Sequence, residues 1–239
     1  MHLALDEVLT RRVGAGERPP TLRFWRWAAP AVVLGRFQSV KNEVDEEAAR
    51  EYEAQIVRRM TGGGAMFVEP DNAITYSIYA PPQLVTGMSS VDSYAFLDDW
   101  VIEALRSLGI DAWYEPINDI TSSDGKIGGA AQARSLGAVL HHVTLSYEMD
   151  AAKMLKVLRI GQEKVSDKAI QSVEKRVGPL RQQTNLPPET VIERMIATFA
   201  ERNTAQDLAE DHLSPEELAE AEKLERTKYS SREWTYSIP

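Results

Sequence analysis

The chain of 239 residues contains no cysteine. That excludes disulfides, thiolate zinc sites and any reaction that holds an acyl group as a thioester on a cysteine of the protein itself. An apolar run of about eighteen residues is also missing, as is a basic segment followed by an apolar one at the N-terminus. Neither a membrane span nor a signal peptide is therefore expected, and the expected location is the cytoplasm. Basic side chains are in deficit, 27 against 36 acidic ones for a net charge of -9. This argues against a nucleic-acid partner held by bulk electrostatics. Histidines number four, and two of them, His141 and His142, are adjacent. Neighbours on a strand point to opposite faces and cannot chelate one ion together, so a hydrogen-bonded strand histidine is the plainer reading. No phosphate loop ending in Gly-Lys-Ser/Thr is present, which rules out a P-loop kinase.

What is present is concentrated in two segments. Arg58-Arg59-Met60-Thr61-Gly62-Gly63-Gly64-Ala65-Met66-Phe67 sets three glycines behind an arginine pair and ahead of an apolar strand. Glycine permits positive φ and removes the Cβ, so successive N–H groups can converge on a phosphate or carboxylate beside a guanidinium. A glycine-rich turn with solvated arginines fits the triplet equally well. The second segment runs from Asn118 to Gln132, with Asp124-Gly125 as a hairpin dipeptide, Lys126 opening the returning strand, and Gly128, Gly129, Ala130 and Ala131 leaving room for a close approach. Together they describe an oxyanion cradle, a fixed ammonium and a floor of small residues.

A chain of this length can bury a full core and is most simply one domain. Hydrophobic periodicity predicts helices at Leu3–Leu9 and Asp45–Tyr52, and strands at Thr21–Trp27, Ala31–Leu34, Gln55–Arg59 and Ile74–Ala80. A helix with Leu97, Val101, Ala104, Leu105 and Leu108 on one stripe should end at Gly109, with Trp100 in the core rather than at a ligand. Strands at 112–115, 118–121, 126–133 and 139–148 complete a largely antiparallel sheet. Later helices follow, one opened by Pro187-Pro188 with Val191, Ile192, Met195, Ile196 and Phe199 on its apolar stripe. Another is capped by Ser214-Pro215-Glu216-Glu217 and extends to about Lys228. Strands first and helices later predict an α+β fold, a largely antiparallel mixed sheet flanked by helices. Residues 1–203 are expected to form the catalytic domain and 204–239 a helical extension packed on it.

The two segments closely resemble the signatures of the lipoate-protein ligase A family, Arg-Arg-x-x-Gly-Gly-Gly-Ala and Asn-Asp-(hairpin)-Lys-(small)-(small)-x-Ala. Gly35-Arg36-Phe37-Gln38, His141-His142-Val143-Thr144-Leu145, Ser172-Val173 with Arg176-Val177, and Lys228-Tyr229 with Glu233-Trp234 resemble further family motifs in the same order. Ordered recurrence over most of the chain is far more specific than any single motif. The Gly-Arg-Gly-Arg-type loop of biotin ligases, which share the fold class, is absent. Three departures stand out. Val68-Glu69 occupies the place of the family's His-Asp; Met1 falls at the first helix, so the sheet is expected to have an unpaired edge; and the sequence stops just after Trp234, where many members continue as an accessory domain.

The resemblance implies a biotin/lipoate ligase-like catalytic domain of the short form. Its implied reaction is ATP-dependent activation of lipoate to lipoyl-AMP, with transfer to a lysine of lipoyl-carrier domains and possible dependence on a separate accessory subunit. Lys126 is the implied catalytic residue. Arg58, Gly63, Gly64, Ala65, Met66, Asn118, Asp119 and Lys126 are implied for ATP and adenylate. Arg36, Gly62, Gly63, Lys126 and Gly128 are implied for lipoate, and Asp119 is a candidate for magnesium. Related octanoyl and lipoyl transferases of this fold work through a cysteine that this chain does not have. Alternatives are a lipoyl or octanoyl transferase without the activation step, or a non-catalytic carrier-binding protein.

Overall fold

Alternation along one strand, Ala73–Ala80, sets the layout of the molecule. Ile74, Tyr76, Ile78 and Ala80 join the largest apolar cluster on one face, while Ser77 and Tyr79 meet the first helix on the other. The computed structural model describes residues 1–159, 176–203 and 208–239. In chain order it contains α1 (His2–Gly14), β1 (Thr21–Trp25), β2 (Ala31–Leu34), α2 (Val40–Glu43), α3 (Glu46–Glu51), β3 (Gln55–Arg58), β4 (Met66–Val68) and β5 (Ala73–Ala80). A 3-10 turn at Pro82–Val85 leads to α4 (Ser90–Ser107), followed by β6 (Ala112–Glu115), β7 (Asp119–Ser122), β8 (Gly125–Ser135), β9 (Ala138–Ser146) and α5 (Ala151–Val157). The remainder is helical: α6 (Leu180–Gln183), α7 (Pro188–Arg202), α8 (Pro215–Leu224), a π-helical turn at Glu225–Tyr229, and α9 (Arg232–Thr235).

Six strands form an antiparallel sheet in the order β1-β5-β9-β8-β7-β6. The expected single sheet is in fact two. Strands β3-β2-β4 make a separate small sheet in which β2 and β3 run parallel and β2 and β4 antiparallel. Trp100, Val101 and Leu105 of α4 and Val191 and Met195 of α7 cover one face of the large sheet. Helix α1 covers part of the other face with Leu9 and Val13, and packs Leu5 and Val8 against Val33 and Val68 of the small sheet. Trp100 is core, as its place on the stripe predicts; Ile196 is 49% exposed and leaves the predicted stripe of α7.

Helix ends follow the local chemistry. Asp45 accepts hydrogen bonds from the N–H groups of Glu47 and Ala48, and Ser214 and Glu217 exchange both bonds of a capping box. The last long helix leaves α geometry at Leu224, short of the predicted Lys228, and continues as the π turn. Residues 208–239 lie against α1: Glu220 pairs with Arg11, and Ala221 and Tyr229 share a cluster with Leu5 and Val8. Ser172 and Val173 lie outside the described residues. Among the described residues no helix is long and apolar enough to cross a membrane.

Candidate functional site

A β-bulge positions the lysine. Thr121 pairs with Lys126, but Ile120 pairs with Gly128, so Ile127 is the extra residue and turns wholly into the core. The shift sets Asp119 opposite Gly129 and brings Lys126, Gly129 and Asp119 to one face. Lys126 Nζ donates to Asp119 Oδ1 at 2.7 Å, and a Cβ on residue 129 would stand 3.4 Å from that Nζ. The hairpin differs from the Asp-Gly turn that the sequence predicts. Its two loop residues are Ser123 and Asp124, neither with positive φ, and Gly125 takes φ +119° as the first residue of β8.

The glycine loop between β3 and β4 depends on a close backbone approach. A Cβ on Gly35 would lie 2.0 Å from the Gly63 carbonyl oxygen, and Gly63 itself has φ +93°. Arg59 braces the loop from below. Its Nη2 donates to the carbonyls of Gly62 at 2.7 Å and Gly64 at 2.9 Å, and its Nε donates to Thr61 Oγ1 at 3.0 Å. With those carbonyls engaged, the N–H groups of Gly63, Gly64 and Ala65 have no acceptor among the described residues.

Both motifs border one cavity of about 330 Å³, near the lower end of the range of roughly 300–1,000 Å³ typical of small-molecule sites. It lies between the two sheets. Gly63, Gly64, Ala65 and Met66 line it, as do Asn118, Lys126 and Gly128, while Trp27, Val33 and Leu158 supply apolar wall. Asn118 is fixed by donating to the Ala130 carbonyl at 2.5 Å. Asp119 reaches the cavity only through Lys126. Gly62 and Arg36 lie outside its lining: Gly62 faces the Phe37 ring, and the Arg36 guanidinium stacks 4.5 Å from the Trp234 ring centroid.

Arg58 is the clearest displacement from expectation. It is fully buried, and its guanidinium donates to the carbonyls of Gly35, Gln38, Trp234 and Thr235. Buried so, it ties the Gly35–Gln38 turn to the C-terminal segment rather than facing a ligand. Side chains alternate along a strand, so the neighbouring Arg59 turns the opposite way and lines the cavity. Burial pulls the Arg59 guanidinium down to about 10, which leaves it charged at neutral pH.

A buried polar network underlies the loop. Asp6 on α1 accepts from Arg23 Nη2 at 3.0 Å, Ser77 Oγ at 2.9 Å and Tyr79 OH at 2.6 Å, and meets His142 Nδ1 at 2.9 Å. His142 Nε2 lies 2.7 Å from Thr61 Oγ1. Burial by itself would raise the Asp6 pKa; the His142 hydrogen bond, the Arg23 charge and the Tyr79 hydroxyl outweigh it and hold the carboxyl below its ordinary range. Burial pulls His142 down and keeps it neutral. His141 points through the sheet to Asp98 Oδ1 at 2.7 Å, so the two histidines take separate partners on opposite faces. Arg59, Asp6 and Thr61 were not singled out from sequence. An aspartate inside the apolar stripe of a helix, as Asp6 is, was the available signal.

At the cavity mouth Glu69 is engaged by Lys153 at 2.8 Å and by Asn72 at 3.3 Å. Among the described residues no group of three acidic or histidine side chains is placed to hold a metal ion. Asp119, already bound to Lys126, offers a single carboxylate and no cage for magnesium.

Residues 1–200 match the family model described as the lipoyl protein ligase A/B catalytic domain. An octanoyltransferase LipM from Kyrpidia tusciae is 31% identical, the match covering 98% of this chain and 93% of that protein. A bipartite lipoate protein ligase studied with its E2 lipoyl domain from Thermoplasma acidophilum superposes with TM-score 0.85 at 29% identity, covering 100% of this chain and 91% of that one. A lipoate-protein ligase A structure bound with ATP gives TM-score 0.83 at 27% identity over 99% of this chain and 93% of that one.

Proposed function

The chain belongs to the lipoyl protein ligase A/B catalytic domain family, and from that premise we propose that it is an ATP-dependent lipoate-protein ligase. It joins lipoate to AMP and passes the lipoyl group to a lysine of a lipoyl-carrier domain. One observation carries this reading: three backbone N–H groups with no acceptor among the described residues and the Lys126 ammonium border the same largely apolar cavity. Such a cavity suits a molecule with an apolar chain at one end and an anionic head at the other.

In the first step the lipoate carboxylate attacks the α-phosphorus of ATP, the bond to the β-phosphate bridging oxygen breaks, and pyrophosphate leaves. Negative charge on the phosphoryl oxygens is met by the N–H groups of Gly63, Gly64 and Ala65, with Met66 and Asn118 at the same wall and Arg59 in the place first expected of Arg58. In the second step the neutral amine of the carrier lysine attacks the acyl carbonyl, the acyl–phosphate bond breaks and AMP departs. Lys126 stabilises both the carbonyl oxyanion and the leaving phosphate as a compact charge with three donors. Asp119 orients it. The lipoyl chain takes the apolar wall beside Gly128, worth about 0.8 kcal/mol per buried CH₂. Magnesium, where ATP requires it, would be held chiefly by the phosphates, since among the described residues no cage of carboxylates is placed for it. Residues 1–203 carry the reaction in this reading, with 204–239 as an extension of the same domain.

The likeness to an octanoyltransferase favours a second reading, acyl transfer without activation. Without a cysteine such a reaction needs another nucleophile or a direct transfer. Thr61 stands in an Asp–His–hydroxyl alignment, yet it is fully buried and absent from the cavity wall. This supports the ligase reading. The deciding experiment incubates the protein with a lipoyl-carrier domain and either lipoate, ATP and magnesium, or synthetic lipoyl-AMP, or octanoyl-carrier protein, and weighs the product. A lipoyl increment with ATP supports a self-sufficient ligase, and an increment only with lipoyl-AMP assigns activation to an accessory subunit. Modification only from the octanoyl carrier overturns the ligase reading.

A further inference from the structure

We propose that Asp6, His142 and Thr61 are positioning residues that hold the glycine loop in its donor conformation through Arg59. The inference concerns the same site and rests on the proposed function only for its consequence in nucleotide binding.

The hydrogen-bond directions along the chain are forced from one end. Asp6 is ionised and can only accept, so His142 must carry its proton on Nδ1. In the neutral imidazole Nε2 is then an acceptor, so the Thr61 hydroxyl donates to it over 2.7 Å. With its proton committed there, Thr61 Oγ1 accepts from Arg59 Nε at 3.0 Å. That bond, with Nη1 donating to the Val33 carbonyl and Nε shared with the Gly62 carbonyl, each at 3.2 Å, fixes the rotation of the guanidinium, and its Nη2 then reaches the Gly62 and Gly64 carbonyls together. Engaging alternate carbonyls of a short loop leaves the intervening N–H groups for a ligand. The chain thus runs from a carboxylate on α1, through the large sheet, to the backbone donors of the cavity.

Protonation of His142 would break the pattern. An Nε2–H would require Thr61 to accept from both His142 and Arg59 and would place an imidazolium against a guanidinium. The groups facing His142 are Asp6 of α1, Arg59 just after β3 and Thr61. Arg23 lies behind Asp6, and His141 turns to the opposite face.

Thr61→Val keeps the shape and removes the hydroxyl, and Thr61→Ser restores the hydroxyl. In ligand-free protein, amide hydrogen exchange at Arg36, whose N–H donates to the Thr61 carbonyl at 2.8 Å, should accelerate about tenfold in Thr61→Val while the rest of the protein is unchanged, and Thr61→Ser should return close to wild type. ATP or lipoyl-AMP affinity should fall by a similar factor in Thr61→Val alone. Unchanged exchange at Arg36, or equal acceleration throughout the molecule, overturns the proposal. Faster exchange at Arg36 in Thr61→Val, together with a wild-type protein that binds no adenylate, leaves the brace standing and removes the proposed function instead. Should Thr61→Val fail to fold, nitrogen NMR of wild-type His142 decides. A neutral Nδ1–H tautomer at pH 7 supports the chain of bonds, and an imidazolium or Nε2–H tautomer refutes it.

Discussion

Replacing Lys126 with alanine should separate catalysis from stability. The ammonium and its Asp119 partner are 45% and 31% exposed, a half-solvated pair whose loss costs about 0–1 kcal/mol of stability. For a chain of this size each kcal/mol shifts the melting temperature by about 2–4 °C, so Lys126→Ala should melt within a few degrees of wild type. Catalysis should respond quite differently. Removing one preorganised donor from a developing oxyanion costs about 10²–10³ in rate, or roughly 2.7–4 kcal/mol. Lysine is placed here to serve two such oxygens, so the upper end of that range is expected. The assay is single-turnover transfer from synthetic lipoyl-AMP to a carrier domain, followed by intact mass, which bypasses activation. Lys126→Arg should not rescue it, because a planar fork replaces a compact charge lying above Gly129. Wild-type transfer by Lys126→Ala would refute the role, and a rate loss matched by unfolding would refute the separation.

Arg58→Lys should lower unfolding free energy by about 3 kcal/mol or more, because a buried guanidinium serving several carbonyls cannot be matched by one ammonium. A stable Arg58→Lys with a raised KM for ATP would instead return Arg58 to the ligand. Gly35→Ala pushes a Cβ to 2.0 Å from the Gly63 carbonyl, so the loop must shift by at least about 1 Å, a misplacement that can cost 10²-fold in kcat/KM. Normal kinetics in that variant would mean that the loop geometry is immaterial. Acid should destabilise the fold well before the carboxylates titrate. His2 takes its proton near pH 6.5 when unfolded but only near 4 when folded, because burial and then the Arg23 charge disfavour the cation, and His142 is lowered in the same direction. Below pH 6.5 the unfolded chain therefore holds the extra protons, and stability falls as pH falls. Urea titrations between pH 7.5 and 4.5 should lose this slope in a His2→Gln variant combined with His142→Gln; an unaltered slope would assign it elsewhere.

Most of the fold was legible because its signals are local. Ala31–Leu34 and the strand at 112–115 fall where patterning predicts them, and Gly109 ends α4 with φ +83°. The split into two sheets was not legible, since it depends on β2 pairing with β3 and β4 across the chain rather than with β1, and no residue pattern records a partner strand. At the site the placement of the two arginines is instructive. Arg58 and Arg59 are indistinguishable as residue types, and only their alternation on β3 decides which one enters the cavity. Phase on a strand is fixed by what it packs against, here the C-terminal carbonyls of Trp234 and Thr235, nearly 180 residues away. The bulge at Ile127 escaped for a related reason. Without it Lys126 and Gly128 would share a face; with it Lys126 shares one with Gly129 and Asp119.

The displaced arginine also changes what the Gly-Arg-x-Gln turn and the closing Glu-Trp segment are for. Gly35 is required by the Gly63 carbonyl, and the carbonyls of Gly35 and Gln38 are required by Arg58, whose remaining donors go to Trp234 and Thr235. Trp234 Nε1 returns a bond to the Arg58 carbonyl at 2.8 Å, and its ring centroid lies 4.5 Å from the Arg36 guanidinium and 4.1 Å from the Lys228 ammonium, which Glu7 of α1 holds at 2.6 Å. Segments that read as separate signatures are thus one mechanical unit that fixes the outer edge of the glycine loop, while Asp6, His142, Thr61 and Arg59 fix its inner edge. A loop of three consecutive glycines has the largest conformational entropy to lose and cannot order itself. Bracing from both sides converts that flexible sequence into a row of preorganised donors, which is the property that phosphoryl and acyl charge stabilisation demands.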